Sequence, residues 1–228
     1  MGRAKEIIVK VIPSKIANEF VKKHHYSGKV VPNSTLHFGC FLDNKLHGVM
    51  QYGSPFMKTK VLSLVYNTGW NEMLELNRMA FDNYLPKYSE SRCIAISIKL
   101  IKKNAPQIKW ILSFADGTQC GDGTIYRASG FVLTSIKQNN SIIKLSNGNI
   151  VAAMTYTKGK NILKQGGRAG IPKNAEKLKG NMFRYIYLID KNCKINTEIL
   201  PFSEIDKQDA GMYKGKKISL SERNRAQQ

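Results

Sequence analysis

Acidic residues are the scarcest resource of this chain. Asp and Glu total 16 against 36 Lys and Arg, which leaves a formal net charge of +20 over 228 residues. Such a surplus repels itself in the compact state and draws polyanions from a distance. Nucleic acid is the first partner it implies, because phosphate neutralisation supplies most non-specific DNA affinity. Cysteine is also sparse. Cys40, Cys93, Cys120 and Cys193 are widely spaced and form no CxxC pair. That excludes a dense disulfide framework and the usual zinc spacings, and reads as reduced, mostly buried cytosolic thiols. Long apolar runs are missing as well. No stretch of about 18 apolar residues offers a transmembrane helix. The opening MGRAKEIIVK lacks the apolar core of a signal peptide, and Glu6 stands where myristoylation wants Ser or Thr. No basic amphipathic helix suits a membrane surface. A soluble, cytoplasmic protein is expected. What is present is a hydrophobic content of 42%, enough for a real core and too much for a disordered basic tail.

The hydrophobic pattern places the elements. EIIVKVIP, residues 6–13, reads as a first strand, and Ser14 as the N-cap of a helix carrying Ile16, Phe20 and Val21 at helical spacing. Gly28 is its expected stop. TLHFGCFL (35–42) and LHGVMQYG (46–53) flank Asp43-Asn44-Lys45 as a hairpin. Residues 59–65 are ambiguous. MLELNRMAF (73–81) alternates as a strand, with Glu75 and Asn77 on its polar side. Residues 89–104 form the clearest helix, capped by Ser89, striped by Ile94, Ile98 and Ile101, and ending in Lys102 and Lys103 as the macrodipole prefers. KWILSFA (109–115) is a nearly all-apolar run, the mark of a buried parallel strand. A short helix over 123–131 stops at Gly130. Strands follow over 131–136 and 150–157, and Asn147-Gly148 signals a second hairpin. Residues 158–184 then carry eight Lys or Arg against the single acid Glu176, with five glycines, and read as a mobile basic loop. FRYIYLID (183–190) returns as a strand before a polar tail. The result is a mixed α/β domain over 1–157, antiparallel at first with a parallel crossover at the long helix, plus a basic appendage over 158–228 packed on it.

This order of elements resembles that of the GCN5-related acyltransferases. Tyr126-Arg127-Ala128-Ser129-Gly130-Phe131 is similar to the "YxxxGF" helix of that family, whose Tyr protonates a departing thiolate. A more specific likeness runs through HHYSGKVVPNSTLHFGCF, LHGVMQYG, ELNRMAF, LSFADG and GTIYRASGF. In this order, over roughly residues 20–135, they resemble the Mom family of phage DNA-modification proteins. That resemblance implies carbamoylmethylation of adenine in DNA and protection of the DNA from restriction. It also implies a host-cell cytoplasmic location. One departure concerns the donor. Acyl-CoA users hold the pyrophosphate in a glycine-containing loop before the long helix, on backbone amides. Here that segment is Asp82-Asn83-Tyr84-Leu85-Pro86-Lys87-Tyr88-Ser89-Glu90-Ser91, without glycine. The cofactor is left unknown, and an ordinary acyl-CoA donor is disfavoured.

The chemistry implied needs a proton acceptor, a surface to hold a base that has left the stack, and cationic contacts to the backbone. Asp116, at the end of a buried strand, is a candidate acceptor, or a turn carboxylate that caps the next helix. Tyr126 is a candidate acid or a core aromatic. His25 and Tyr26, at the end of the first helix beside His24, match the "HY" element of the Mom-type likeness. No ligand spacing supports a metal site. Arg78, Ser89 and Ser91 are candidates for donor binding, although the serines read equally as helix capping. Lys158, Lys160, Lys164, Arg168, Lys173 and Arg184 are the expected contacts to double-stranded DNA with a flipped adenine. Tyr185 and Tyr187 either stack on bases or belong to the core. Two other functions fit the composition: a conventional acetyl-CoA-dependent N-acetyltransferase, which the missing glycine loop opposes, and a non-catalytic nucleic-acid binder with an acyltransferase shell.

Overall fold

The computed structural model describes residues 2–118, 121–153, 171–172 and 174–207, with the backbone of 212–213 and 216–217. Strand β1 (Ile8–Val11) leads into helix α1 (Ser14–His24), then β2 (Ser34–Leu42) and β3 (Lys45–Gly53). A short helix α2 (Lys58–Val61) and a 3₁₀ turn over Leu62–Leu64 fill the ambiguous stretch. Strand β4 (Met73–Phe81), helix α3 (Ser89–Asn104) and strand β5 (Trp110–Asp116) make the crossover, and helix α4 (Thr124–Ala128) precedes β6 (Val132–Gln138). Strands β7 (Ile142–Lys144), β8 (Ile150–Ala152) and β9 (Glu176–Lys177) follow, and β10 (Asn181–Leu188) comes last in the main sheet.

The sheet order is β1-β2-β3-β4-β5-β10-β6. The first four strands pair antiparallel, and β4 pairs parallel with β5. This is the mixed, mostly antiparallel sheet with one parallel crossover that the pattern predicts. Asp43 and Asn44 both hold positive φ, 50° and 60°, as a two-residue hairpin turn between right-twisted strands requires. Helix α1 is shorter than expected. It ends at His24, four residues before Gly28, with His25 already extended. Neither expected serine cap is at the N-cap position. Pro13 precedes α1, and Tyr88, in the left-handed region at φ 70°, precedes α3.

The contacts divide the chain into two units. The first comprises residues 1–115, 123–135 and 184–202, and the second 116–122, 136–183 and 203–228. The returning strand β10 is laid down between β5 and β6. In the first unit, Leu64, Val65, Met73, Trp110, Leu112 and Ile186 form one core cluster, and Ile12, Ala17, Val21, Val49 and Ala80 form another. Helix α3 buries Cys93, Ile94, Ile98 and Ile101. Each fully buried Ile is worth about 1.5–3 kcal/mol. Cys40 and Cys93 are unbridged, buried and in contact, and their pairing and burial push the Cys40 thiol far up. In the second unit, β7 pairs antiparallel with both β8 and β9. Strand β9 lies inside the stretch that reads as a loop.

Candidate active site

Strand β4 supplies the centre of the site in the first unit. Tyr52 pairs with Leu76 and Gln51 with Arg78, so Asn77 has no partner on β3. This is a β-bulge, a device that re-aims side chains beside functional sites. The parallel ladder between β4 and β5 also stops here. It joins only Met73–Glu75 to Trp110–Leu112, although both strands run on. Polar groups gather where the ladder ends. Asn77 is buried, and its Oδ1 accepts a hydrogen bond from Ser34 Oγ at 3.1 Å. Its side chain also faces the Glu75 carboxylate and favours its charged form. Burial raises the Glu75 pKa above the ordinary carboxylate value, against the lowering effects of Asn77 and Arg78.

Arg78 is half-buried beside this carboxylate. Its Nε donates to the Lys29 carbonyl at 3.1 Å and its Nη1 to the Asn77 carbonyl at 2.8 Å. Its Nη2 has no hydrogen-bond partner among the described residues. Desolvation lowers the Arg78 pKa, while Tyr26, Glu75 and Tyr126, all within electrostatic reach, oppose that shift. An arginine stays cationic throughout. The fold thus fixes a positive charge with donors to offer, in a partly dry setting where charge interactions gain strength.

The end of α1 brings His25 to the same charge. Because the chain leaves the helix at His25, the two histidines separate. His24 stacks on Phe20 with centroids 4.3 Å apart, while His25 is half-buried. Burial first, and the charge of Arg78 second, lower the His25 pKa to about 4. The ring is therefore neutral at pH 7. Ser27 N–H donates to His25 Nδ1 at 3.1 Å, and Ser27 Oγ lies 2.8 Å from the same atom. A backbone N–H only donates, so Nδ1 is the acceptor and the neutral ring carries its proton on Nε2. His25 offers a neutral donor rather than a base. Tyr26 is 52% exposed, with its ring 4.2 Å from that of His25.

Tyr126 completes the group from α4. Gly123 before it has φ 76°, and a Cβ there would come within 2.5 Å of the Tyr185 ring. Only glycine satisfies both the left-handed turn and the close approach. Tyr126 is buried, 5.3 Å from Tyr185 and 5.5 Å from Phe131 between ring centroids. Tyr185 is fully buried and belongs to the packing, while Tyr187 is half-buried, 5.2 Å from Phe131 between ring centroids.

His25, Tyr26 and Tyr126 thus lie within electrostatic reach of Arg78. Glu75 and Asn77 join them, and the sequence pattern did not single them out. Their one signal was the polar side of β4. The serines behave differently from the donor-binding expectation. Ser89 is fully buried and donates to the Pro86 carbonyl, and Ser91 Oγ donates to the Tyr88 carbonyl at 3.3 Å. Both hydroxyls close the turn into α3. Arg184 is likewise engaged within the fold. Its guanidinium donates to Thr134 Oγ1 at 3.0 Å and to the Thr134 carbonyl at 3.1 Å, which takes it away from the DNA contact expected of it. Lys158, Lys160, Lys164, Arg168 and Lys173 lie outside the described residues. In the second unit, Asp116 is buried, and its Oδ1 accepts from the Thr118 N–H at 2.9 Å and from Asn139 Nδ2 at 3.0 Å. These bonds build the turn that ends β5.

The sequence matches the model of the Mom protein family over residues 6–204. The chain belongs to the Mom family. It is 32% identical over 204 residues to the methylcarbamoylase mom of Escherichia phage Mu, covering 86% of this chain and 82% of that protein. Solved acetyltransferases are similar to it in fold. The ribosomal-protein-S18-alanine N-acetyltransferase of Escherichia coli has 10% identity and a TM-score of 0.47, covering 81% of this chain and 94% of that one. The spermidine/spermine N-acetyltransferase of Vibrio cholerae has 7% identity and a TM-score of 0.48, covering 84% and 97%. At such identities the likeness says nothing of donor or substrate. The Mom family membership and the arrangement around Arg78 carry the functional reading.

Proposed function

We propose that this Mom family member is a transferase that modifies the exocyclic amine of adenine in DNA with a carbamoylmethyl-type group. Its effect is to shield phage DNA from restriction in the host cytoplasm. The observation that carries the reading is the set His25, Tyr26, Glu75, Arg78 and Tyr126, gathered around one fixed cation at the bulge of β4. The amine of adenine is a poor nucleophile, because its lone pair is delocalised into the ring. It needs positioning, a proton acceptor and stabilisation of the charge that develops on the donor.

Each group fits one of these needs. Glu75, with a raised pKa, is a stronger base than an exposed carboxylate and accepts the proton lost by the amine as the new bond forms. Asn77 holds that carboxylate in place. Arg78 Nη2 and the His25 Nε2–H are preset donors for the negative charge developing on the donor group. Tyr126 supplies a proton to the departing group. Tyr26, exposed beside His25, gives the adenine that has left the duplex a ring to lie against. A small or carrier-bound donor is needed, and the expected glycine-rich pyrophosphate loop is replaced by residues 82–91.

Co-expression with a plasmid tests the reading. The plasmid is digested to nucleosides and examined by mass spectrometry for a heavier deoxyadenosine. The wild-type chain is expected to produce it, and Glu75→Gln to lower its yield at least a hundredfold while the protein remains folded. Unmodified adenine beside well-folded wild-type protein sinks the reading. Full activity in Glu75→Gln would remove Glu75 from its role.

A further inference from the structure

Phe56 is the most exposed large apolar side chain among the described residues, at 80%. Met57, its neighbour in the chain, is 47% exposed, and Trp70 is 51% exposed. They lie on the excursion between β3 and β4. An unsupported aromatic at a loose loop tip would mean little, but this tip is braced at both ends. Before it, Asn33 Nδ2 donates to the Ser54 carbonyl, and Pro55 is buried. A Cβ on Gly53 would strike the Asn33 carbonyl oxygen, so the backbones are in close contact there. After it, Lys58 Nζ lies 4.6 Å over the Trp70 ring, and Leu64 and Val65 are packed into the core with Trp110.

The tip also leaves the sheet beside the site. Gly53 is paired with Glu75 on one side and Ser34 on the other, and Ser34 bonds Asn77. Phe56 is three residues further on, which limits its backbone to roughly 10 Å from that point. The surroundings are cationic. Lys58 and Lys60 are the charged residues of 54–71, and no acid stands among them. An exposed phenylalanine on a braced tip, with the exposed Lys60 at its flank and the buried Lys58 beneath it, suits a polyanion that has an apolar interior. Duplex DNA is such a partner, and architectural proteins insert Phe and Met between base steps.

We propose that Phe56 is the wedge that enters the DNA stack as the target adenine leaves it, with the exposed Lys60 facing a flanking phosphate. The inference rests on the DNA-modifying reading above. It adds the element that holds the duplex open, which none of the residues around Arg78 supplies.

The test uses the full chain. In co-expression, Phe56→Ala is expected to lower the modified deoxyadenosine at least tenfold, while Phe56→Leu, still apolar and bulky, retains at least half. The modified positions found with the wild type then guide synthetic duplexes carrying 2-aminopurine at the target. Wild-type protein raises the fluorescence as that base unstacks. Phe56→Ala binds the duplex with unchanged salt dependence and leaves the fluorescence flat. The proposal is overturned if Phe56→Ala modifies DNA as well as the wild type does. It is equally overturned if binding and unstacking fall together, since Phe56 would then only support the fold or the contact. A wild-type dimer that Phe56→Ala converts to a monomer in sedimentation would assign the residue to a second copy instead. Wild-type protein that leaves plasmid adenine unmodified fails the DNA reading itself, before any substitution is made, and the wedge with it.

Discussion

His25 illustrates how far a fold moves one residue's chemistry. In the sequence it is one of an adjacent pair at a helix end, and a base, a phosphate contact or a metal ligand are equally open to it. In the fold its Nδ1 accepts from Ser27, and burial beside Arg78 holds its pKa at about 4. The ordinary value is 6.5, so below that pH the unfolded chain takes up a proton that the native state refuses. The His25 contribution to stability is therefore complete above pH 6.5 and is lost as the pH falls towards 4. Its full size is about 3.5 kcal/mol at most, since each tenfold change in proton affinity is worth about 1.4 kcal/mol. Chemical denaturation at intervals from pH 7 to pH 4 should show this slope in the wild type. In His25→Gln the slope over that window should flatten. An unchanged slope would mean that His25 does not carry it.

At the scale of elements, two irregularities decide the site. The bulge at Asn77 groups Arg78 with Glu75 and Asn77, whereas strict alternation would have put it on the opposite face. The alternation of MLELNRMAF was legible, so the strand was placed correctly, and the same alternation concealed Glu75 as an outward polar residue. A bulge depends on how many residues the partner strand offers, and no local pattern reports that. The second irregularity is Gly123. The short helix α4 was visible from its Gly boundaries, but the need for glycine at its start lies in Tyr185, distant in sequence. Gly123→Ala combines a left-handed φ with a collision against that ring. It should destabilise the protein by roughly 1–3 kcal/mol, the range for a strained backbone position. It should also displace Tyr126, so modified deoxyadenosine should fall more than the folded fraction does. Thermal melting and nucleoside analysis of the same preparation separate the two effects.

For the whole molecule, the charge of +20 governs encounter rather than chemistry. Its densest stretch is 158–184, most of which lies outside the described residues. Replacing Lys164 and Arg168 together should weaken DNA binding equally across sequences. It should also reduce the slope of log affinity against log salt by about 2, at close to one for each phosphate no longer neutralised. Binding isotherms at several salt concentrations measure this directly, and an unchanged slope would remove both residues from the interface. Arg184 is excluded from the experiment, because Thr134 holds its guanidinium.

The sequence by itself determined the sign of the partner and the order of strands and helices, and it offered Arg78 as a candidate together with His25, Tyr26 and Tyr126, which lie near it. Those properties are local or additive: charge sums along a chain, periodicity is read over one element, and the HHY, ELNR and YRASGF motifs are contiguous. Tertiary structure alone decided the rest. It placed β10 inside the sheet, left Asn77 without a ladder partner on β3, turned Ser89 and Ser91 into the helix start, and drew Tyr185 and Arg184 into the packing. It also set Glu75 and His25 beside one guanidinium, where burial changes the proton affinity of both. Each of these outcomes depends on distances between residues far apart in the chain, and the energies that fix them exist only once the sheet has closed around the core.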